Sequence, residues 1–232
     1  MIIKGIQKLS MVDYPGLLCT TLFTPGCNLR CPFCHNSSLV TGENADDKTF
    51  IDLDDLFAFL SQRRKKIDAV CLSGGEPLLQ SGVAEFLLEL KKMGFKTKLD
   101  TNGTRPEALE EVLSAGAVDY VAMDIKNSAE RYGETVGIPH FDLSPVLRSI
   151  KLLTDGKTPY EFRTTVTRTH HDLASLKGAG ALIEGAEIWY LQAFKEGEGV
   201  LDQSTRGYEK SELEGFLLHL EGYAKMVRLR GI

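Results

Sequence analysis

The sequence predicts an α/β fold: a partial (β/α)6 TIM-like barrel built on a mainly parallel, curved sheet. Three observations predict it. Six short apolar runs each precede a helical stretch, the order that builds parallel sheets with right-handed crossovers. Polar or glycine-rich clusters follow the ends of four of those runs, where parallel α/β folds gather their sites. The length, 232 residues, suits one α/β domain. Six units are too few for a closed eight-fold barrel, and an open doubly wound sheet is the alternative.

The elements follow in order. Leu17–Phe23 is apolar and Thr-rich, hence a strand, and a cysteine-bearing loop comes after it. Leu53, Leu56, Phe57 and Leu60 recur at helical spacing behind Asp52, a suitable cap. Asp68–Leu72 reads as a buried strand that ends in Ser73-Gly74-Gly75-Glu76-Pro77. Val83, Phe86, Leu87 and Leu90 form a helix stopped at Gly94. Lys96–Leu99 runs into Asp100-Thr101-Asn102-Gly103, and a helix covers Pro106–Ser114. Asp119–Met123 runs into Asp124-Ile125-Lys126, with a helix over Pro145–Leu153. Tyr160–Val166 and Glu187–Leu191 are the last strands, and Leu173–Glu184 is the helix between them. Lys210–Met226 reads as a closing helix, with Leu213, Phe216, Leu217 and Leu220 on one face.

No linker or low-complexity segment divides the chain, so one domain is expected over 1–232. Within it, 1–16 is expected at the barrel mouth, 17–194 as the core and 208–230 as a C-terminal helix. Hydrophobic residues make up 43% and charged residues 25%, with a formal net charge of −5. No apolar run approaches the roughly 18–20 residues of a membrane span, and the start lacks the pattern of a signal peptide. The longest basic run is Arg63-Arg64-Lys65-Lys66, little support for nucleic-acid binding. A cytoplasmic address is expected, with neither membrane nor nucleic acid as partner.

Five cysteines, an odd number, argue against a disulfide framework. Cys27, Cys31 and Cys34 lie within eight residues, in Pro-Gly-Cys-Asn-Leu-Arg-Cys-Pro-Phe-Cys-His-Asn. Three thiolates on one loop suit zinc or an iron–sulfur cluster. Structural zinc wants four closed ligands, and the fourth could only be His35, poorly placed beside Cys34, or a distant Cys19 or Cys71. Both of those lie within strands and read as packing residues. Three ligands for a four-iron cubane leave one iron without protein sulfur, an open position for chemistry.

The cysteine triplet, with Phe33 before its last member, and Gly74-Gly75-Glu76-Pro77 resemble the radical S-adenosylmethionine (SAM) superfamily over nearly the whole chain. The resemblance implies a 4Fe–4S cluster on Cys27, Cys31 and Cys34. It also implies chelation of the unique iron by the amino and carboxylate groups of SAM. In that family an electron from the reduced cluster cleaves a carbon–sulfur bond, giving methionine and a 5′-deoxyadenosyl radical. Gly74, Gly75 and Glu76 are then expected to meet the SAM ammonium, and Phe33 the adenine. His35, Asp100, Asn102, Asp124 and Lys126 are expected in the same SAM site. Asp100 and Asp124 together are expected to hold a monovalent cation beside the SAM carboxylate. Arg163 lies inside a strand, where an unpaired charge is expensive. It is expected to point into the site, either toward a carboxylate group of a ligand or into a salt bridge with Glu76 or Asp124. His170 and His171 read as solvated loop residues, and Trp189 as outer-face packing. The family's ribose-facing histidine falls on Phe194 here, which cannot hydrogen-bond.

Val12-Asp13-Tyr14-Pro15-Gly16 and the Cys-His-Asn ending resemble glycyl-radical activases, most closely those acting on anaerobic ribonucleoside-triphosphate reductase. That implies a large glycyl-radical enzyme as partner, with Asp13 contacting the segment around its target glycine. It also implies a low-potential electron donor such as flavodoxin or ferredoxin. Other readings are an activase of another glycyl-radical enzyme such as pyruvate formate-lyase, a 7-carboxy-7-deazaguanine synthase-like enzyme, and a simple redox carrier.

Overall fold

The computed structural model describes residues 1–41 and 50–232. The strands are β1 (Gly5–Ser10), β2 (Cys19–Thr24), β3 (Ala69–Gly74), β4 (Lys96–Thr101), β5 (Tyr120–Asp124), β6 (Tyr160–Val166), β7 (Trp189–Ala193) and β8 (Val227–Arg230). They form one sheet in sequence order, β1 antiparallel to β2 and every later pair parallel. β1 and β8 are the two edges, so the barrel is incomplete, as the sequence predicts. The helices are α1 (Ser37–Thr41), α2 (Leu53–Arg63), α3 (Val83–Lys92), α4 (Pro106–Ser114), α5 (Tyr132–Thr135), α6 (Ser144–Thr154), α7 (Leu173–Leu182) and α8 (Lys210–Leu217). Asp52 caps α2 by accepting from the backbone N–H groups of Asp54 and Asp55.

Three expectations are corrected. Among the described residues the sheet has eight strands rather than six, because β1 and β8 extend it at either edge. The C-terminal stretch is not one helix over 208–230. It turns at Leu218 after α8, then enters β8, whose alternating Val-Arg-Leu-Arg suits a strand. The N-terminal segment 1–16 lies at the rim that carries the cysteines only over its first residues, where Lys4 N–H donates to the Phe23 carbonyl at 2.8 Å. Residues 11–18 join β1 to the beginning of β2, and the Leu18 carbonyl accepts from Asp68 and Ala69 at the beginning of β3. Residues 11–18 therefore lie at the N-terminal ends of the strands, opposite the cysteine loop.

Alternation along the strands sorts their side chains onto two unlike faces. Leu22, Leu72, Leu99, Val121, Phe162 and Leu191 join the apolar core beneath the helices. Trp189 is also there, as expected, and its indole N–H donates to Thr164 Oγ1 at 2.9 Å. The opposite face, lining the barrel, carries Cys19, Cys71, Lys98, Asp100, Asp124, Glu161 and Arg163. Cys19 and Cys71 are fully buried there beside Tyr14 and Ala69, in keeping with their reading as packing residues.

Candidate active site

The loop after β2 places Cys27, Cys31 and Cys34 on one cavity. It is tied down on several sides. Gly75 N–H donates to the Thr24 carbonyl (3.0 Å) and Glu76 N–H to that of Gly26 (2.8 Å). Arg30 N–H reaches Val136 O at 2.9 Å. From the segment after β7, Leu201 N–H donates to Cys34 O (3.1 Å) and Asp202 N–H to Pro32 O (2.8 Å). Glycine is required where β3 meets this loop. A Cβ on Gly75 would stand 1.9 Å from Gly26 O, and Gly74 has φ +127° with Thr24 N only 2.2 Å from its Cβ position.

The cavity encloses ≈ 820 Å³ of space, its open mouth included. Phe33, His35, Asn36, Gly74, Gly75, Asp100, Asn102, Asp124, Lys126 and Arg163 line it with the three thiols. Nearly all the residues singled out from the sequence therefore converge on one rim. Among the described residues no three ligand side chains close on a single metal ion. Cys27, Cys31 and Cys34, soft donors lining one cavity, are the residues that would hold a cluster, and Cys19 and Cys71 are not part of that lining. His35 Nε2 is held by Lys195 O at 2.6 Å, and its ring packs on Phe194. Burial pushes the Cys31 thiol up to about 12, so ligation to soft metal must displace a proton there.

Glu76 departs from expectation. Its carboxylate is fully buried and outside the cavity lining. Oε1 accepts from Leu78 N–H (3.0 Å) and Thr101 Oγ1 (2.8 Å), and Oε2 from Asn102 N–H (2.7 Å). Burial pushes its pKa up to about 7 against these three donors. Glu76 thus ties the end of β3 to the end of β4, with both oxygens engaged by the protein. Asn102 is itself anchored, its Nδ2 donating to Asn28 Oδ1 at 3.1 Å and lying 3.8 Å from Cys27 Sγ.

Below the thiols, acidic and basic side chains interlock. Arg163 Nε donates to Asp124 Oδ1 (2.9 Å), and its Nη1 lies 3.4 Å from Asp100 Oδ2. Lys126 Nζ pairs with Asp124 Oδ2 at 2.9 Å. Lys98, which the sequence reading passed over, pairs with Asp100 Oδ1. Of the two partners expected for Arg163, Asp124 is found and Glu76 is not. Burial opposes ionisation of Asp100, but Arg163 and Lys98 outweigh it and hold its pKa down to about 2. The expected monovalent cation between Asp100 and Asp124 is thus met by carboxylates already occupied by protein cations.

Two histidines are a further correction. His170 and His171 are buried rather than solvated, and their rings stand 5.7 and 6.2 Å from that of Phe33. His171 Nδ1 accepts from Thr167 N–H at 3.1 Å, so its proton sits on Nε2, which donates to the Lys126 carbonyl at 2.8 Å. Lys126 N–H in turn reaches Tyr132 Oη at 3.3 Å. The peptide groups of Lys126 are therefore clamped from both sides. The pairing of His171 with Lys126 spans 45 positions and leaves no trace in sequence spacing.

Comparisons with known proteins agree with this architecture. The model of the radical SAM superfamily matches residues 21–173. The chain belongs to that superfamily. Its curated relatives place it, more narrowly, in the glycyl-radical enzyme activating family, and it is an enzyme of this kind. A Methanocaldococcus jannaschii protein provisionally named as a glycyl-radical enzyme activating enzyme is 32% identical over 201 residues, covering 84% of this chain and 80% of that one. Pyruvate formate-lyase-activating enzyme of Staphylococcus aureus is 31% identical over 183 residues, covering 73% of this chain and 70% of that one. Among solved structures, Streptococcus suis SuiB bound to precursor peptide SuiA has a TM-score of 0.70 at 14% identity. That match covers 90% of this chain, which spans only about half (47%) of that longer protein. A domain of pyruvate-formate lyase-activating enzyme from Bacteroides vulgatus has a TM-score of 0.55 at 18% identity, covering 68% of this chain and 98% of that one. At such identities the structures speak for the fold alone.

Proposed function

We propose that the chain, as one domain, is a radical SAM activase that abstracts hydrogen from a glycine of a large partner enzyme. The observation that carries the reading is one cavity lined by Cys27, Cys31 and Cys34 together with Phe33, Gly74, Gly75, Asn102, Asp124 and Lys126. In this reading the three thiolates hold a 4Fe–4S cluster and leave its fourth corner to SAM. When bound, the cluster and SAM supply one-electron reduction and the carbon radical that removes a hydrogen atom. The chain's own part is positioning. Gly74 and Gly75 let the end of β3 approach the cysteine loop, and Phe33 offers a ring to the adenine. Lys126 offers its ammonium to the SAM carboxylate, and burial keeps bulk water from the pocket floor. A low-potential flavodoxin or ferredoxin is the donor class this chemistry needs.

Anaerobic ribonucleoside-triphosphate reductase is the proposed partner, on the strength of Val12-Asp13-Tyr14-Pro15-Gly16 and the Cys-His-Asn loop ending. Pyruvate formate-lyase is the second reading, favoured by the Staphylococcus aureus relative. Asp13 is proposed to meet the partner. Its Oδ2 accepts from Thr21 Oγ1 of β2 at 2.7 Å, and it stands between the exposed Val12 and the buried Tyr14. Anaerobically reconstituted protein with SAM and dithionite should release 5′-deoxyadenosine. Adding each candidate partner and recording a glycyl doublet by electron paramagnetic resonance then chooses between them. A pterin turned over while neither partner gains a radical would overturn the activase reading. Asp13→Ala should leave uncoupled SAM cleavage intact and lower partner activation; equal loss of both would move Asp13 to the SAM site.

A further inference from the structure

We infer that Lys98 is a resident counter-cation that removes any need for a diffusible sodium or potassium ion between Asp100 and Asp124. The inference rests on the SAM reading of the site and deepens it. Lys98 stands on β4, two residues before Asp100 and on the same inner face. It is 1% exposed, and its ammonium meets Asp100 Oδ1 and, at 3.8 Å, Cys71 Sγ. An ammonium so deep is tolerated only when paired. Burial works against its charge, but Asp100 beside its ammonium outweighs it.

Charge accounting gives the consequence. Asp100 turns one oxygen to Lys98 and the other to Arg163; Asp124 turns one to Arg163 and the other to Lys126. All four carboxylate oxygens thus face protein cations. Lys98, Arg163 and Lys126 between them leave neither carboxylate free for a diffusible cation. The other charged or titratable groups near Lys98 have partners of their own. Glu161 on β6 is held by Arg230 and Tyr120, whereas Asp13 accepts from the neutral Thr21 hydroxyl and keeps its negative charge. Burial holds the Cys71 thiol well above its ordinary range, so it adds no charge. A small cation entering between Asp100 and Asp124 would have to displace Lys98 or Arg163 and would meet like charge. A carboxylate meets the opposite, at Lys126 on the cavity wall.

The test is SAM affinity of the cluster-loaded protein by calorimetry, in potassium chloride and in choline chloride at equal ionic strength. The wild type should bind equally in both, within about twofold. Lys98→Met, which keeps the volume and removes the charge, should weaken SAM binding about tenfold in choline and recover in potassium. Sodium-23 line broadening on the cluster-free protein should rise in Lys98→Met over the wild type. If Lys98→Met does not fold, Lys98→Arg should stay independent of the salt, and the wild-type comparison decides by itself. Wild-type affinity that falls about tenfold in choline, or a folded Lys98→Met indifferent to potassium, overturns the inference and leaves the SAM reading standing. Absence of SAM binding in every salt overturns the SAM reading instead.

Discussion

At the residue scale, His171 carries a consequence for acid stability. Its Nδ1 accepts and its Nε2 donates, so the folded state requires the neutral ring. Burial, with His170 adding to it, lowers its pKa from 6.5 to about 4. Below pH 6.5 the unfolded chain takes up a proton that the folded chain refuses until about pH 4, so stability falls as pH drops through that window. The loss expected at pH 4 is roughly 3 kcal/mol. His171→Gln keeps a donor for the Lys126 carbonyl and should flatten that limb in pH-dependent denaturant melts; an unchanged limb would assign it to other groups. The five cysteines should separate into two kinds. Cys31→Ala should abolish iron–sulfur incorporation, read by absorbance and iron content after anaerobic reconstitution. Cys71→Ala should retain the cluster and cost on the order of 1 kcal/mol, as for a small core deletion. The cysteine triplet, the Gly-Gly pair, Asp100, Asp124 and Lys126 were legible in the sequence because each is a chemistry-bearing residue at or near the end of a strand, and Arg163 because a charge inside a strand stands out. Lys98 was not, because Lys96-Thr97-Lys98 reads as an ordinary half-exposed alternation until a curved sheet closes over it. His171 was not, because its burial depends on a loop packing under Phe33.

At the element scale, β8 is more than a tail on the sheet. Arg230 makes two hydrogen bonds to Glu161, at 2.6 and 2.9 Å, and lies 3.7 Å over the ring of Tyr190. Glu161 is fully buried, and Tyr120 Oη is its other partner. Arg230→Met leaves that carboxylate largely uncompensated and should destabilise the fold by about 3 kcal/mol. Urea denaturation checks this, and a loss under 1 kcal/mol would mean that Arg230 acts only as an exposed ion pair. Both strands missed in the sequence are edges, for a common physical reason. Edge strands carry polar residues that blunt further pairing, as Gln7 and Lys8 do in β1 and the two arginines in β8. Such strands lack the apolar run that announced β3 or β5. The central strands and most helices were readable because burial on the helix-facing side imposes strong patterns.

At the scale of the whole molecule, the barrel has two unlike ends. The C-terminal ends of the strands carry the thiols and the cavity, and the N-terminal ends carry Met11 and Val12, each 75% exposed, around Asp13 and Tyr14. Among the described residues no helix is long and apolar enough to cross a membrane. The inner face between the two ends is charged and internally compensated, whereas the outer face is apolar beneath the helices. This division holds the thiols and the cavity at one end and leaves Met11 and Val12 exposed at the other. The most direct measurement of the central claim is isotope transfer. A partner enzyme carrying α-deuterated glycine should be incubated anaerobically with reconstituted protein, SAM and reductant. Deuterium in the 5′-deoxyadenosine, formed in step with a glycyl radical, is the predicted result; unlabelled 5′-deoxyadenosine with no radical on any glycyl-radical enzyme offered would contradict it.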